Sequence, residues 1–290
     1  MKKLNRLSLV LAVITLLSFY GCQKVIDFPL RDSETRLVIE GTINNLDSIQ
    51  YVRISKTKSY LTPNTFDGVP DAFVEITEVL KDGRTLIDTL TLTDMDGECK
   101  SCLGGFYRSR KLKNATPGAT YKLRVVHQGK THFATTRLQE IVPIDTLTFK
   151  YQNANPPFRD STGYYVTLYG KEPDTSGNHY RIKVYKNRLL QGGEGVPDYL
   201  VNDDRAFNGV YIINELPYVF KENDTARVEL ISIEPIMYRY YQTLIRQVFA
   251  GGNPFAPPGD NLVSNIKGDP AFGFFGSFAI SRREVVIKKP

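Results

Sequence analysis

Apolar and polar positions alternate with a period of two along most of this chain. Leu37-Val38-Ile39-Glu40-Gly41, Tyr51-Val52-Arg53-Ile54-Ser55, Ala72-Phe73-Val74-Glu75-Ile76 and Tyr121-Lys122-Leu123-Arg124-Val125 each alternate or are rich in β-branched and aromatic residues, with turn residues between them. Successive side chains of an extended backbone point to opposite faces, so the pattern predicts half-buried strands. It resumes at Tyr164 to Tyr169, His179 to Tyr185, Gly209 to Ile213 and Ala226 to Ile233. Helical spacing occurs once. Ile236, Tyr240, Leu244 and Val248 recur every four residues between Pro235, suited to a first turn, and Gly251, suited to an end. The expected fold is mainly β: two antiparallel β-sandwich units, 36–142 and 143–290, with helix 235–250 packed on the second. Val142 to Leu147 reads as the hinge between them.

The N-terminus departs from this pattern. Lys2, Lys3 and Arg6 precede the apolar run Leu7 to Phe19, and Gly21-Cys22 follows it. This is the arrangement of a lipoprotein signal, 1–21, cleaved before a cysteine whose Sγ carries the lipid. The run is shorter than the roughly 20 residues needed to span a bilayer, so the mature chain is expected to be anchored at Cys22. Residues 22–35 read as a tether. Gln23, where an aspartate would signal inner-membrane retention, points to the outer membrane and leaves open which side the protein faces.

A second departure is the Gly/Pro-rich stretch 251–270, long for a routine connection. Phe272, Phe274, Phe275 and Phe278 follow it, interrupted by Gly273 and Gly276. Two readings stand: an alternating core strand, or an aromatic rim. On the second, Asn253, Pro254, Phe255, Phe272, Phe274 and Phe275 form a partner-binding surface.

The formal charge is +6, and three of those cations lie in the signal, so the mature chain is only mildly basic. Its lysines and arginines are dispersed, which argues against nucleic acid. The most pointed local feature is Cys99-Lys100-Ser101-Cys102. In an oxidising envelope it is most simply a local disulfide; a thioredoxin-like pair or free thiols are alternatives. A zinc alternative adds His127 and His132, which flank Gln128-Gly129-Lys130-Thr131 and would share one face of a hairpin. Asp94-Met95-Asp96-Gly97 begins like a calcium loop but has Gly105 where the twelfth-position glutamate belongs, so it reads as a turn. Asp203-Asp204-Arg205 reads as a solvated loop. No G-x-S-x-G, H-E-x-x-H, Walker or Rossmann fingerprint occurs, and the lone His179 has no paired nucleophile. The chain is read as non-enzymatic and without a cofactor.

Two resemblances sharpen the picture. Val69-Pro70-Asp71-Ala72-Phe73-Val74-Glu75-Ile76, Thr93-Asp94, Gly105-Phe106-Tyr107 and Thr116-Pro117-Gly118-Ala119-Thr120-Tyr121-Lys122-Leu123 resemble the transthyretin-like sandwich of carboxypeptidase regulatory-like domains, with Met95 to Gly104 as an insertion. The order of Val25-Ile26-Asp27, Leu37 to Gly41, Pro117 to Tyr121, Ile144-Asp145, Asn253-Pro254-Phe255, Ser264-Asn265-Ile266 and Phe275-Gly276 resembles the Bacteroidetes lipoproteins called domain of unknown function 4249. That resemblance implies an outer-membrane lipoprotein in the company of a TonB-dependent receptor barrel, and no catalytic residue. The leading expectation is an accessory or lid-like binding subunit of such a transporter. An envelope enzyme acting on glycan or peptide, and a structural or adhesive module, are the alternatives.

Overall fold

The structure is a computed structural model that describes residues 34–58, 67–93, 105–156, 161–192, 200–250 and 262–289. Cys22, Cys99, Cys102, Asn253, Pro254, Phe255 and the Asp94 to Glu98 turn lie outside the described residues. Thr35–Pro290 forms one compact unit.

Its first strands are β1 (Leu37–Asn44), β2 (Tyr51–Lys56), β3 (Phe73–Val79), β4 (Thr85–Thr89), β5 (Thr91–Thr93), β6 (Phe106–Arg108), β7 (Thr120–His127) and β8 (Lys130–Arg137). Next come β9 (Thr146–Gln152), β10 (Gly163–Lys171), β11 (His179–Lys186), β12 (Leu189–Leu190), β13 (Val201–Asp203), β14 (Tyr211–Phe220) and β15 (Thr225–Ile233). Helix α1 (Pro235–Ala250), β16 (Lys267–Gly268) and β17 (Ala271–Val286) complete the chain. The fold is mainly β, with several antiparallel sheets and one α-helix among the described residues.

One nine-stranded sheet runs β12-β11-β15-β17-β1-β2-β6-β5, with β13 added on β11. A five-stranded sheet, β16-β8-β7-β3-β4, contributes to one core and a three-stranded sheet, β14-β10-β9, to another. Ile39, Val52 and Ile54 of the long sheet meet Val74, Ile76, Tyr121 and Leu123 in the first core. Ile182, Val184 and Val228 meet Val166, Leu168 and Leu216 in the second. Alternation explains the division of faces: β7 buries Tyr121, Leu123, Val125 and His127 and exposes Lys122 and Arg124.

Strand β17 joins the halves of the long sheet. Its first eight residues run parallel to β1, from Leu37↔Ala271 to Asn44↔Phe278, and its remainder runs antiparallel to β15, from Ser232↔Ala279 to Thr225↔Val286. Phe275 and Ala279 point into the first core, while Phe274, Phe278 and Ile280 point to the opposite face. There α1 settles on Ile231, Ile233 and Phe274. The helix buries Met237 and Tyr241 most deeply and leaves Ile236, Tyr240 and Leu244 half-buried, so its contact stripe is centred one position beyond the expected series. Strand β15 is buried on both parities because the second core covers one face and α1 the other.

Of the stretch 251–270, residues 262–270 are described, and they are tied to the neighbouring strands. Asn265 Nδ2 donates to Phe275 O (2.7 Å) and its Oδ1 accepts from Phe275 N (2.9 Å), an amide standing in for a neighbouring strand. Lys267 and Gly268 pair with Phe133 and His132 of β8, and Asp269 Oδ2 accepts from Thr131 N at 2.8 Å. Among the described residues no helix is long and apolar enough to cross a membrane.

Candidate functional site

Laying α1 over the long sheet leaves a concavity on each of its flanks. The first, of about 400 Å³, lies over the outward face of β1, β2, β6 and β17. Strand register builds its floor. Glu40 pairs with Phe274 on one side and Arg53 on the other, and Arg53 pairs with Phe106, giving a transverse row Phe274, Glu40, Arg53, Phe106. Thr42 and Tyr51 pair in the adjoining row. The Arg53 guanidinium lies 5.4 Å from the Phe106 ring centroid, and its Nη1 is 3.6 Å from Glu40 Oε2. Tyr240 and Tyr241 descend from α1 as the wall, with the Tyr240 ring 5.1 Å from that of Phe274. Burial pushes the Tyr240 phenol above its ordinary value; the Glu40 carboxylate pushes it further and Arg181 partly offsets this. The groove therefore offers ring faces beside a phenol donor, a carboxylate acceptor and a cation.

Gly273 makes the floor possible. Its φ is +111°, and a Cβ there would stand 2.0 Å from Ile39 O on β1. Only glycine lets β17 run so close to β1 in this conformation.

The second concavity, of about 560 Å³, is lined by His179, Asp203, Asp204, Arg205, Tyr238, Arg239 and Gln242 among others. Its acids are already occupied. Asp203 Oδ1 accepts from Arg205 N (3.2 Å) and Nε (2.9 Å), while Oδ2 meets Arg205 Nη2 (2.7 Å) and accepts from Tyr238 Oη (3.2 Å). The Arg205 side chain is the main reason that Asp203 is held down at about 2, and burial opposes it. Asp204 Oδ2 accepts from Asn178 N at 2.8 Å. His179 Nδ1 donates to Gly177 O at 2.9 Å, and its ring sits 4.7 Å from Tyr238. A carboxylate held ionised in this way has no proton to give at neutral pH, and its oxygens are engaged by Arg205 and Tyr238.

Of the residues expected at a partner surface, Phe272 is 40% exposed, with the Arg36 guanidinium 5.6 Å from its ring. Phe275 is fully buried; Phe274, 7% exposed beneath α1, borders the groove but does not form an open rim. His127 and His132 share the inward face of the β7–β8 hairpin. Asp203-Asp204-Arg205, read as a solvated loop, closes into a 3-10 turn with Asp204 buried. Sequence reasoning passed over Glu40, Tyr51, Arg53, Phe106 and Tyr240, which come from four separate elements. The polar parity of β1 and β2 was visible; the register that aligns them was not.

No curated protein matches the chain. A family model described as "Domain of unknown function (DUF4249)" matches residues 23–284, nearly the whole unit that carries both concavities, and the chain belongs to that family.

Proposed function

We propose that this chain is a lipid-anchored binding protein of the cell envelope. Its anchor is Cys22 in the outer membrane, and it acts as an accessory subunit of a TonB-dependent transporter through the aromatic groove beside α1. The observation that carries the reading is the groove itself. Ring faces from Phe106, Tyr240 and Phe274 surround an Arg53–Glu40 pair in one concavity of about 400 Å³. Aromatic residues and arginine are the types that concentrate binding energy at interfaces, and paired charges beside them supply orientation. The opposite flank of α1 supports an enzymatic reading less well, because Asp203 is engaged by Arg205 and Asp204 accepts from the Asn178 backbone.

Gentle detergent extraction and affinity purification of the native protein tests the partnership. A co-purifying outer-membrane barrel is the expected result; recovery of the lipoprotein alone, where a reference transporter complex survives, would reject it. Tyr240→Ala and Phe106→Ala should weaken capture of the barrel with the fold intact. Deleting 253–260, and stopping short of the structural Asn265 to Asp269, separates a loop contribution from that of the groove.

A further inference from the structure

The second sandwich carries an apolar slot of about 360 Å³ that shares no lining residue with either concavity beside α1. It is lined by buried Leu168, Ile182 and Leu230 and by half-buried Phe207, Ile212 and Asn214. Beside it runs a sheet edge, since among the described residues β14 pairs only with β10. The chain enters that edge as Val210-Tyr211-Ile212-Ile213-Asn214, without the lysine, proline or charge that normally blunts an edge strand. Val210, Tyr211 and Ile213 are 54%, 48% and 66% exposed.

Register decides what the edge presents. Glu172 N donates to Val210 O, and in an antiparallel ladder bonded pairs alternate with unbonded ones. Gly170↔Ile212 and Leu168↔Asn214 are therefore bonded pairs, whereas Tyr211 and Ile213, opposite Lys171 and Tyr169, turn their N–H and C=O away from β10. Burial alternates in the same step, with Ile212 and Asn214 on the inward face. A strand laid on this edge would bond to Tyr211 and Ile213, and its residue opposite Ile212 would send its side chain to the inward face, into the slot. No lining side chain is charged at neutral pH, so a charged group entering there would lack a partner.

We propose that the β14 edge receives an extended, uncharged peptide segment of a partner protein, bonded to the main chain of Tyr211 and Ile213 with one apolar side chain seated in the slot. This is strand addition, in which backbone bonds supply affinity and the pocket supplies specificity. The slot argues against a second copy as the occupant. Two β14 edges paired about Ile212 would oppose residues that each turn into their own sandwich, and both slots would stay unfilled. The site is separate from the groove, so either can fail alone.

The test uses the full chain in lipid nanodiscs, labelled with nitrogen-15 and titrated with the blocked peptide acetyl-Ser-Thr-Leu-Thr-Ser-amide. Saturable shifts centred on Tyr211 to Asn214, and slowed amide exchange at Tyr211 and Ile213, are expected. Aspartate in place of the central leucine should weaken binding about tenfold or more, and so should N-methylation of the two threonine amides. Ile213→Pro removes an outward N–H and no bond to β10, so it should abolish binding in a folded chain. The N-methylated peptide asks the same question without altering the protein. No saturable binding, equal affinity for the N-methylated peptide, or a dimer of the chain that Ile213→Pro dissolves would overturn the proposal.

Discussion

The two flanks of α1 are built from the same helix and the same long sheet, yet they solve opposite problems. On the cleft side the charges are closed on one another: Arg205 grips Asp203, Tyr238 donates to it, and Asp204 fastens Asn178. On the groove side the Arg53–Glu40 pair is loose, at 3.6 Å with Glu40 half exposed, and rings flank it. Charges closed on one another fix a turn; an ion pair set beside aromatic rings offers polar and apolar contact in one place. Size alone would have favoured the cleft, which is the larger of the two. Chemistry favours the groove.

The strongest way to break this contrast is to remove the backbone geometry on which the groove depends. Gly273→Ala would place a Cβ against Ile39 O in a conformation that L-residues rarely adopt, so β1 and β17 must part. A loss of about 3 kcal/mol or more is expected in chemical denaturation, from backbone strain together with the steric clash. A stability within error of wild type would show that this register is not required. The next effect concerns how α1 is seated. Glu234 precedes the helix, and its carboxylate accepts from Thr136 Oγ1 (2.6 Å) and Arg137 N (3.0 Å) on β8. Glu234→Ala should cost about 1–3 kcal/mol, the range for hydrogen bonds to a charged group, and should loosen both flanks together. Amide exchange that quickens on one flank alone would deny that the helix moves as a unit.

How much of this was legible follows the range of the interactions. Period-two alternation marked strands such as β1 and β7, and the bounds of α1 were readable from Pro235 and the spacing beyond it, because these are local consequences of backbone geometry. The parallel pairing of Leu37 with Ala271 was not readable, since no local pattern names a partner more than two hundred residues away. That pairing decides the fates of Phe274 and Phe275. Their glycine-spaced run read first as a core strand and was also compatible with a rim, and β1 on one edge with Asn265 on the other makes it core. The groove row Phe274, Glu40, Arg53, Phe106 depends on three such registers at once, which is why its members looked like ordinary outward positions.

A smaller effect sharpens the cleft side. Asp203 is held at about 2 in the folded chain against an ordinary 3.8. A depressed carboxyl contributes stability that is complete above its unfolded value and lost as pH falls through its folded one. Asp203→Asn should therefore cost about 1 kcal/mol at neutral pH, and the gap to wild type should close between about pH 4 and 2. A gap that persists unchanged at pH 2 would mean that the carboxylate's charge is not what holds the turn.

The smallest expected effect lies in the groove and tests what its ion pair contributes. Glu40→Gln keeps shape and removes one charge from an exposed pair, so stability should move by no more than about 0.5 kcal/mol. Tyr240 should register the change directly. Burial is the larger cause of its raised phenol and the Glu40 carboxylate the second, so the substitution should lower its titration while leaving it above that of an ordinary tyrosine. Selective carbon-13 labelling of tyrosine rings, followed through an alkaline titration, gives the measurement residue by residue. A Tyr240 midpoint that does not move would separate Glu40 from the ring and remove the polar half of the groove's chemistry. A drop in midpoint without a drop in stability would mean that the pair contributes field to the groove and almost nothing to the fold, the division expected of a surface kept for binding.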